Sequence, residues 1–289
     1  MEVRVKRALL WASVPVFLLI AYVLILHYET AFSRYTIDGV RMTPSQRYYY
    51  HYTKPDGEVF SFNLIDPEQS PPEIHKQVME GFRIFCLTPH YAKKYIGGTL
   101  SCANCHFCGG NTLGGWNGGI TLAGVSEVYP KYSPRSRTLI TLNQRIDNCF
   151  MRSLNGKAPP DDDPIKTHLV AYMEWISAAF KELKPIPWLG LKPLKSAHKP
   201  DPAKGEKVFV AYCARCHQPN GMGTQGIPPL WGPNSYNDGA GMNTLPMLSS
   251  FVYYNMPFEG EKPMLTEEQA IDVASFVIKQ PRPHFVEPE

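Results

Sequence analysis

Two short stretches of this chain carry recognisable chemistry. Cys102-Ala-Asn-Cys105-His106 and Cys213-Ala-Arg-Cys216-His217 repeat the spacing Cys-x-x-Cys-His. Thiols at that separation can form thioethers to the vinyl groups of a porphyrin, and the imidazole that follows becomes the proximal ligand of its iron. A structural zinc site would want a further pair of Cys or His ligands, and a thiol–disulfide exchange motif does not require the histidine. One accidental match is expected in about 0.5% of chains of this composition, and two far less often. The pattern predicts two covalently attached haem c groups, with Cys102, Cys105 and His106 holding the first and Cys213, Cys216 and His217 the second.

A haem with one histidine has an open face or a second axial ligand that tunes its potential. Met256 stands 39 residues after His217, in Tyr254-Asn-Met-Pro257. Its thioether suits ferrous iron, and the proline stiffens the loop that presents it. Met222, Met242, Met247 and Met264 compete for the role. At a matching distance of 43 residues after His106 stands Cys149, with Met151 as the alternative ligand. A lone cysteine can also be a buried apolar residue or half of a disulfide. Arg135, Arg137, Arg145, Arg152 and Lys157 crowd around this one within 23 residues. Arg145, Cys149 and Ser153, spaced i, i+4, i+8, share one face of a helix. Such a setting lowers a thiol pKa and makes a pocket for anions. Of the remaining cysteines, Cys86 and Cys108 are candidates for a disulfide.

These residues need elements to hold them. Each attachment site is followed by a Gly-rich loop and, further on, by an amphipathic helix: Ile165 to Phe180 in the first half, Thr266 to Lys279 in the second. Thr266-Glu-Glu supplies a cap with acid in the first turn. The arrangement reads as an internal duplication. Residues 181–204 hold five prolines and six lysines, which forbids a continuous helix and predicts an extended linker. The fold expected is mainly α. Residues 1–28 would be an N-terminal membrane anchor or signal and 29–75 an irregular extension. A cytochrome c-like domain over 76–180 would carry the catalytic haem. After the linker, a second such domain over 205–289 would serve electron transfer.

Composition sets the outer bounds. The chain has 289 residues, enough for two domains, and 29 basic against 26 acidic side chains, too slight an excess to argue for nucleic acid. Hydrophobic residues at 44% and charged ones at 19% exclude both a disordered chain and a polytopic membrane protein. Arg4, Lys6 and Arg7 precede an uncharged run from Ala8 to Leu26, long enough at about 1.5 Å per residue to predict a transmembrane helix. A cleaved signal peptide is the alternative. The basic flank would keep the N-terminus inside. The expected location is the inner membrane, single pass, with the haem domains in the periplasm.

The chain resembles the dihaem thiosulfate dehydrogenases, and through its first domain the dihaem subunit of the periplasmic sulfur-oxidising complex. The resemblance runs from about Gly98 to Pro283. It is carried by Leu100-Ser-Cys-Ala-Asn-Cys-His106, Tyr132-Ser-Pro-Arg-Ser136, Leu142-Asn-Gln-Arg-Ile146, Cys149-Phe150, Arg152-Ser153 and Asn155-Gly-Lys157. In the second half Pro228-Pro-Leu-Trp-Gly-Pro233, Tyr236-Asn-Asp-Gly-Ala-Gly-Met242, Asn255-Met-Pro257 and Gln280-Pro-Arg-Pro283 extend it. The resemblance implies that Cys149 is the distal ligand of a catalytic haem, that Arg135, Arg145 and Ser153 line a thiosulfate site, and that Met256 ligates the haem through which electrons leave. Two thiosulfates would be joined to tetrathionate, with a cytochrome or other periplasmic acceptor taking the electrons. The same site run backwards would be a tetrathionate reductase. A membrane-anchored electron carrier without a substrate, or a sulfur-carrier site at Cys149, are further readings. The stretch Phe107 to Trp116 departs from the family in its glycine content.

Overall fold

The computed structural model describes residues 49–287 without a break, together with Leu19, Tyr22 and a two-residue antiparallel ribbon, Thr36–Ile37 against Val40–Arg41. Helix α1, Pro72–Cys86, begins where Pro71-Pro72 sets the backbone and ends at Leu87, whose N–H bonds Arg83 O. It buries Val78, Phe82 and Phe85 along one face. That face meets α3, Pro164–Ser177, which buries Leu169, Tyr172, Met173 and Ile176. The two helices touch at Gly81: a methyl group there would fall 1.9 Å from His168 O. Only a residue without Cβ allows so close an approach.

The second half repeats the device. Helix α4, Pro202–Val208, is capped by Asp201, which accepts from the N–H groups of Ala203 and Lys204. It crosses α6, Glu267–Ile278, at Gly205, where an added methyl would lie 2.0 Å from Asp272 O. The Asp272 carboxylate is itself buried and accepts from His198 Nε2 and the Asp201 amide, both at 2.8 Å. Helix α6 starts at Thr266 with the expected cap, in which Thr266 and Gln269 bond each other's backbone N–H. Between them α5, Leu245–Asn255, packs on α6. A further helix, α2, Leu142–Asn148, opens with the same reciprocal cap from Thr141 and Gln144 and runs into a π-helical turn over Cys149–Ser153.

Segments outside the two helical sets also build core. Strands Tyr49–Thr53 and Val59–Asn63 pair as a hairpin, and its Phe62 packs edge-on against Phe180 at 5.0 Å and beside Trp188 at 4.9 Å. Trp188 and buried Ile186 come from the proline-rich stretch 181–204, and Trp188 Nε1 donates to Ala123 O at 2.9 Å. Residues 45–289 form one compact unit.

Three expectations are corrected. The N-terminal transmembrane helix is not supported: among the described residues no helix is long and apolar enough to cross a membrane. The physical reason is length and charge. A crossing needs about 20 apolar residues in helix, whereas α1, the longest described, has 15 and carries Glu73, Lys76, Glu80 and Arg83. The run Ala8–Leu26 itself lies, except for Leu19 and Tyr22, outside the described residues. The single-pass inner-membrane location rested on that helix and is withdrawn with it. The disulfide considered between Cys86 and Cys108 is also not formed, since Cys86 is a free thiol.

Candidate functional site

The two attachment motifs are set in the same way. The first opens with a 3-10 turn, Cys102–Asn104, where Asn104 Oδ1 accepts from the Ser101 N–H at 2.7 Å and Thr88 Oγ1 accepts from the Cys102 N–H at 3.2 Å. His106 Nδ1 donates to Ile120 O at 2.6 Å, and His217 Nδ1 donates to Pro228 O at 2.9 Å. A carbonyl can only accept, so each ring carries its proton on Nδ1 and turns an Nε2 lone pair outward. Burial lowers both imidazoles, His106 to about 4, which keeps them neutral, as a metal ligand must be. Cys102 and Cys105 are only partly covered at their surfaces, yet the protein around them pushes both thiols up to about 12, and Cys213 likewise. Two inert, closely spaced thiols beside an imidazole with a free Nε2 fit a covalently held haem c.

Cys149 is brought to the first of these motifs. It caps α2 at the point where the helix widens into its π-turn, a distortion often found at functional sites. Arg145 Nη1 donates to Cys149 Sγ at 3.0 Å, and Cys149 lies near enough to Cys102 and Cys105 to act electrostatically on both thiols. The Cys149 sulfur is the main cause that holds the Arg145 guanidinium protonated, with the Tyr129 hydroxyl as a further hydrogen-bond partner. Arg135 belongs to the same neighbourhood. Desolvation lowers its pKa, and Arg152 and Arg145 push it the same way while Glu287 and Cys149 oppose them. Ser153 ends the π-turn, half-buried, and forms no hydrogen bond to Cys149 or to either arginine. Met256 follows α5 directly, its N–H bonded to Val252 O, half-buried and ahead of Pro257. Its rivals Met222, Met247 and Met264 are exposed, and Met242 is buried.

Two contributors, Tyr129 and Lys166, and the anchorage of Arg152 were not readable from the sequence. Tyr129 joins Arg145 from 16 residues upstream. Lys166, 2% exposed, places Nζ 2.6 Å from Asp147 Oδ1 and 2.7 Å from Asp161 Oδ1, tying α2 to α3 two residues before Cys149. Arg152, buried on the π-turn, is held from the far end of the chain: Glu287 Oε2 lies 2.9 Å from Nη2, and the guanidinium sits 3.7 Å over the Phe285 ring. Spacing along the chain gives no signal for contacts of this range.

Known proteins are similar to this chain. The chain is 37% identical over 219 residues to the thiosulfate dehydrogenase of Allochromatium vinosum, covering 74% of this chain and 81% of that protein. It is 38% identical to the thiosulfate dehydrogenase of Thiomonas intermedia, covering 75% and 70%. The chain belongs to the thiosulfate dehydrogenase family. This family member is an oxidoreductase of that type. Residues 202–280 match the cytochrome c family, which agrees with haem c as the cofactor. Its fold aligns with the thiosulfate dehydrogenase TsdBA of Marichromatium purpuratum, in the "as isolated" form, with a TM-score of 0.66 and 26% identity. That alignment covers 75% of this thiosulfate dehydrogenase homologue and about half, 48%, of the other chain.

Proposed function

We propose that this protein oxidises thiosulfate, joining two molecules into tetrathionate, at a site formed by Cys149, Arg145 and Arg135 beside the first haem attachment. The observation that carries the reading is the 3.0 Å contact of Arg145 with Cys149 Sγ next to Cys102 and Cys105. A simple electron carrier has no use for a guanidinium–sulfur pair there. Thiosulfate is a dianion, and bringing two together requires fixed positive charge; guanidinium groups provide it with two-pronged donor geometry. Arg145 and Arg135 would bind and orient the sulfonate oxygens, and Ser153 would line the pocket from the end of the π-turn.

Cys149 has a second use as the nucleophile. Its thiolate and one thiosulfate form a sulfur–sulfur bond with loss of two electrons, leaving a cysteine S-thiosulfonate. The terminal sulfur of a second thiosulfate attacks that bond, tetrathionate departs, and the thiolate is restored. Cys102, Cys105 and His106 in one half and Cys213, Cys216 and His217 in the other would hold haem c, which would supply one-electron acceptors whose electrons an external cytochrome would remove. Cys149 in the first half and Met256 in the second would each supply a further ligand to the group held there. Thiolate favours the ferric state and thioether the ferrous, so this pairing directs electrons from the first half to the second.

Adding thiosulfate to the oxidised protein tests the reading: both haems should reduce, and tetrathionate should form. Cys149→Gly should retain two haems per chain and lose turnover. A Cys149→Gly protein that still makes tetrathionate would overturn the role of Cys149, and failure of the native protein to reduce with thiosulfate would return it to the carrier reading.

A further inference from the structure

The two halves meet at a buried asparagine. Asn255, the last residue of α5, is fully buried and directly precedes Met256. Its Oδ1 accepts from the backbone N–H of Gly119 at 2.8 Å and of Asn117 at 3.2 Å. Its Nδ2 donates back to Phe251 O at 3.1 Å, and its carbonyl accepts from Asn117 Nδ2 at 3.0 Å. Asn117 Nδ2 also donates to Phe258 O, on the other side of Met256 and Pro257. One first-half side chain thus grips the backbone on both sides of the methionine.

The partner surface is the shelf that orients the first histidine. Ile120 O receives the proton of His106 Nδ1, and the Ile120 N–H bonds Cys105 O at 2.9 Å. Gly119, with φ +64°, lies so close beneath the motif that a methyl group would fall 2.5 Å from Cys105 O. Phe107, the residue after His106, packs edge-on against Phe251 at 5.7 Å and Phe258 at 5.4 Å. A continuous route therefore runs from His106 Nδ1 to Ile120 O, along one peptide to the Gly119 N–H, across its hydrogen bond to Asn255 Oδ1, and along the chain to Met256.

We infer that Asn255 and Asn117 are positioning residues for Met256, and that through them the first half of the molecule sets the axial ligation of the haem in the second. The inference rests on the reading of Met256 as a ligand. Other tethers would not reproduce it. A buried amide with two acceptor contacts and one donor contact is specified by shape as well as polarity, and removing it strands the Gly119 and Asn117 N–H groups away from water. The glycines and positive-φ residues of the 114–119 loop, which include Trp116 at +38° and Asn117 at +74°, shape a turn that presents those two N–H groups together.

The test is made on the protein with its haems attached, following the weak sulfur-to-iron charge-transfer band and the midpoint potential of each haem. Met256→Gly comes first and should abolish the band. Asn117→Ala, in the other half, should then weaken or shift that band and move the potential of the second haem only. Asn255→Leu should do the same more strongly, whereas Asn255→Asp, which keeps the oxygen facing Gly119 and Asn117, should retain the band. If Met256→Gly abolishes the band and both Asn117→Ala and Asn255→Leu leave band and potentials unchanged, the positioning role is overturned while the ligand assignment stands. If Met256→Gly leaves the band intact, the ligand assignment fails and the inference fails with it. Should Asn255→Leu not fold, Asn117→Ala decides alone, since it removes donors at a half-buried loop and leaves the second-half core untouched.

Discussion

Arg145 and Arg135 stand differently toward the sulfur they surround. Arg145 donates to Cys149 directly, while Arg135 feels the charges of Arg152, Arg145 and Glu287. Replacing either with Gln removes a charge-assisted contact to a dianion, worth about 1.5–3 kcal/mol, so catalytic efficiency should fall about 10- to 150-fold. Arg145→Gln should be the more severe, because it also leaves Cys149 without its donor. Lys should rescue only in part. Steady-state kinetics alongside a redox titration decides the matter: an arginine that held only a haem propionate would move the first haem's potential and leave the Michaelis constant alone. At this scale the sequence was informative for rare residues. Cys149 was legible because five basic side chains close to a lone cysteine are a poor setting for a merely apolar thiol. Tyr129, Asp147 and Lys166 were not legible, since a tyrosine is usually core and an Asp–Lys pair separated by a loop has no periodicity to reveal it.

The helices depend on two glycines and a few caps. Gly81→Ala or Gly205→Ala would place a methyl group about 2 Å from a backbone carbonyl, which a packed crossing can relieve only by parting its helices. The expected loss is about 1–3 kcal/mol or more, read as a lower melting temperature and poorer haem retention. Asp163, the cap of α3, accepts from the Ile165 N–H at 2.9 Å and from Tyr95 and Lys94. Desolvation alone would raise its pKa, but those partners together hold it below the usual carboxylate value. A carboxyl depressed by folding stabilises the protein above its unfolded pKa, and that contribution disappears as pH falls through the folded value. Asp163→Ala should therefore cost about 1 kcal/mol at neutral pH, and the gap between variant and parent melting temperatures should close in acid. The helix expected over Ile165 to Phe180 is observed as Pro164–Ser177, because its apolar spacing was visible. Helix α1 was not read, although Pro71-Pro72-Glu73 and the spacing of Val78, Phe82 and Phe85 announce it. Its start at Pro72 lies four residues before the boundary expected at 76. The π-turn was beyond reach: a one-residue widening of the ladder leaves no trace in composition.

Across the whole molecule the stretch 181–204 does two jobs. Its backbone is pinned, with Glu267 Oε2 accepting from the N–H groups of Lys195 and Ser196, while Lys192, Lys195 and Lys199 are exposed. Exposed charge of this kind steers encounters and is screened by salt. Neutralising the three lysines should slow reduction of a small acidic acceptor at low ionic strength and leave the rate unchanged at high; stopped-flow measurements at both settle it. That the stretch lacks a continuous helix was legible from its prolines, whereas its share of the core, through Ile186 and Trp188, was not. Nothing local in a loop says which distant hairpin will cover it. The segment beyond α6 shows the same reach on a larger scale. Its residues end the second half in sequence, yet Phe285 and Glu287 close over Arg152 of the first. A chimera that joins the first half of one homologue to the second half of another at the linker would therefore inherit a mismatched clasp. Recombination between such genes should survive chiefly where residues 281–287 travel with the 149–153 turn they hold, so the two halves would be inherited best as a pair.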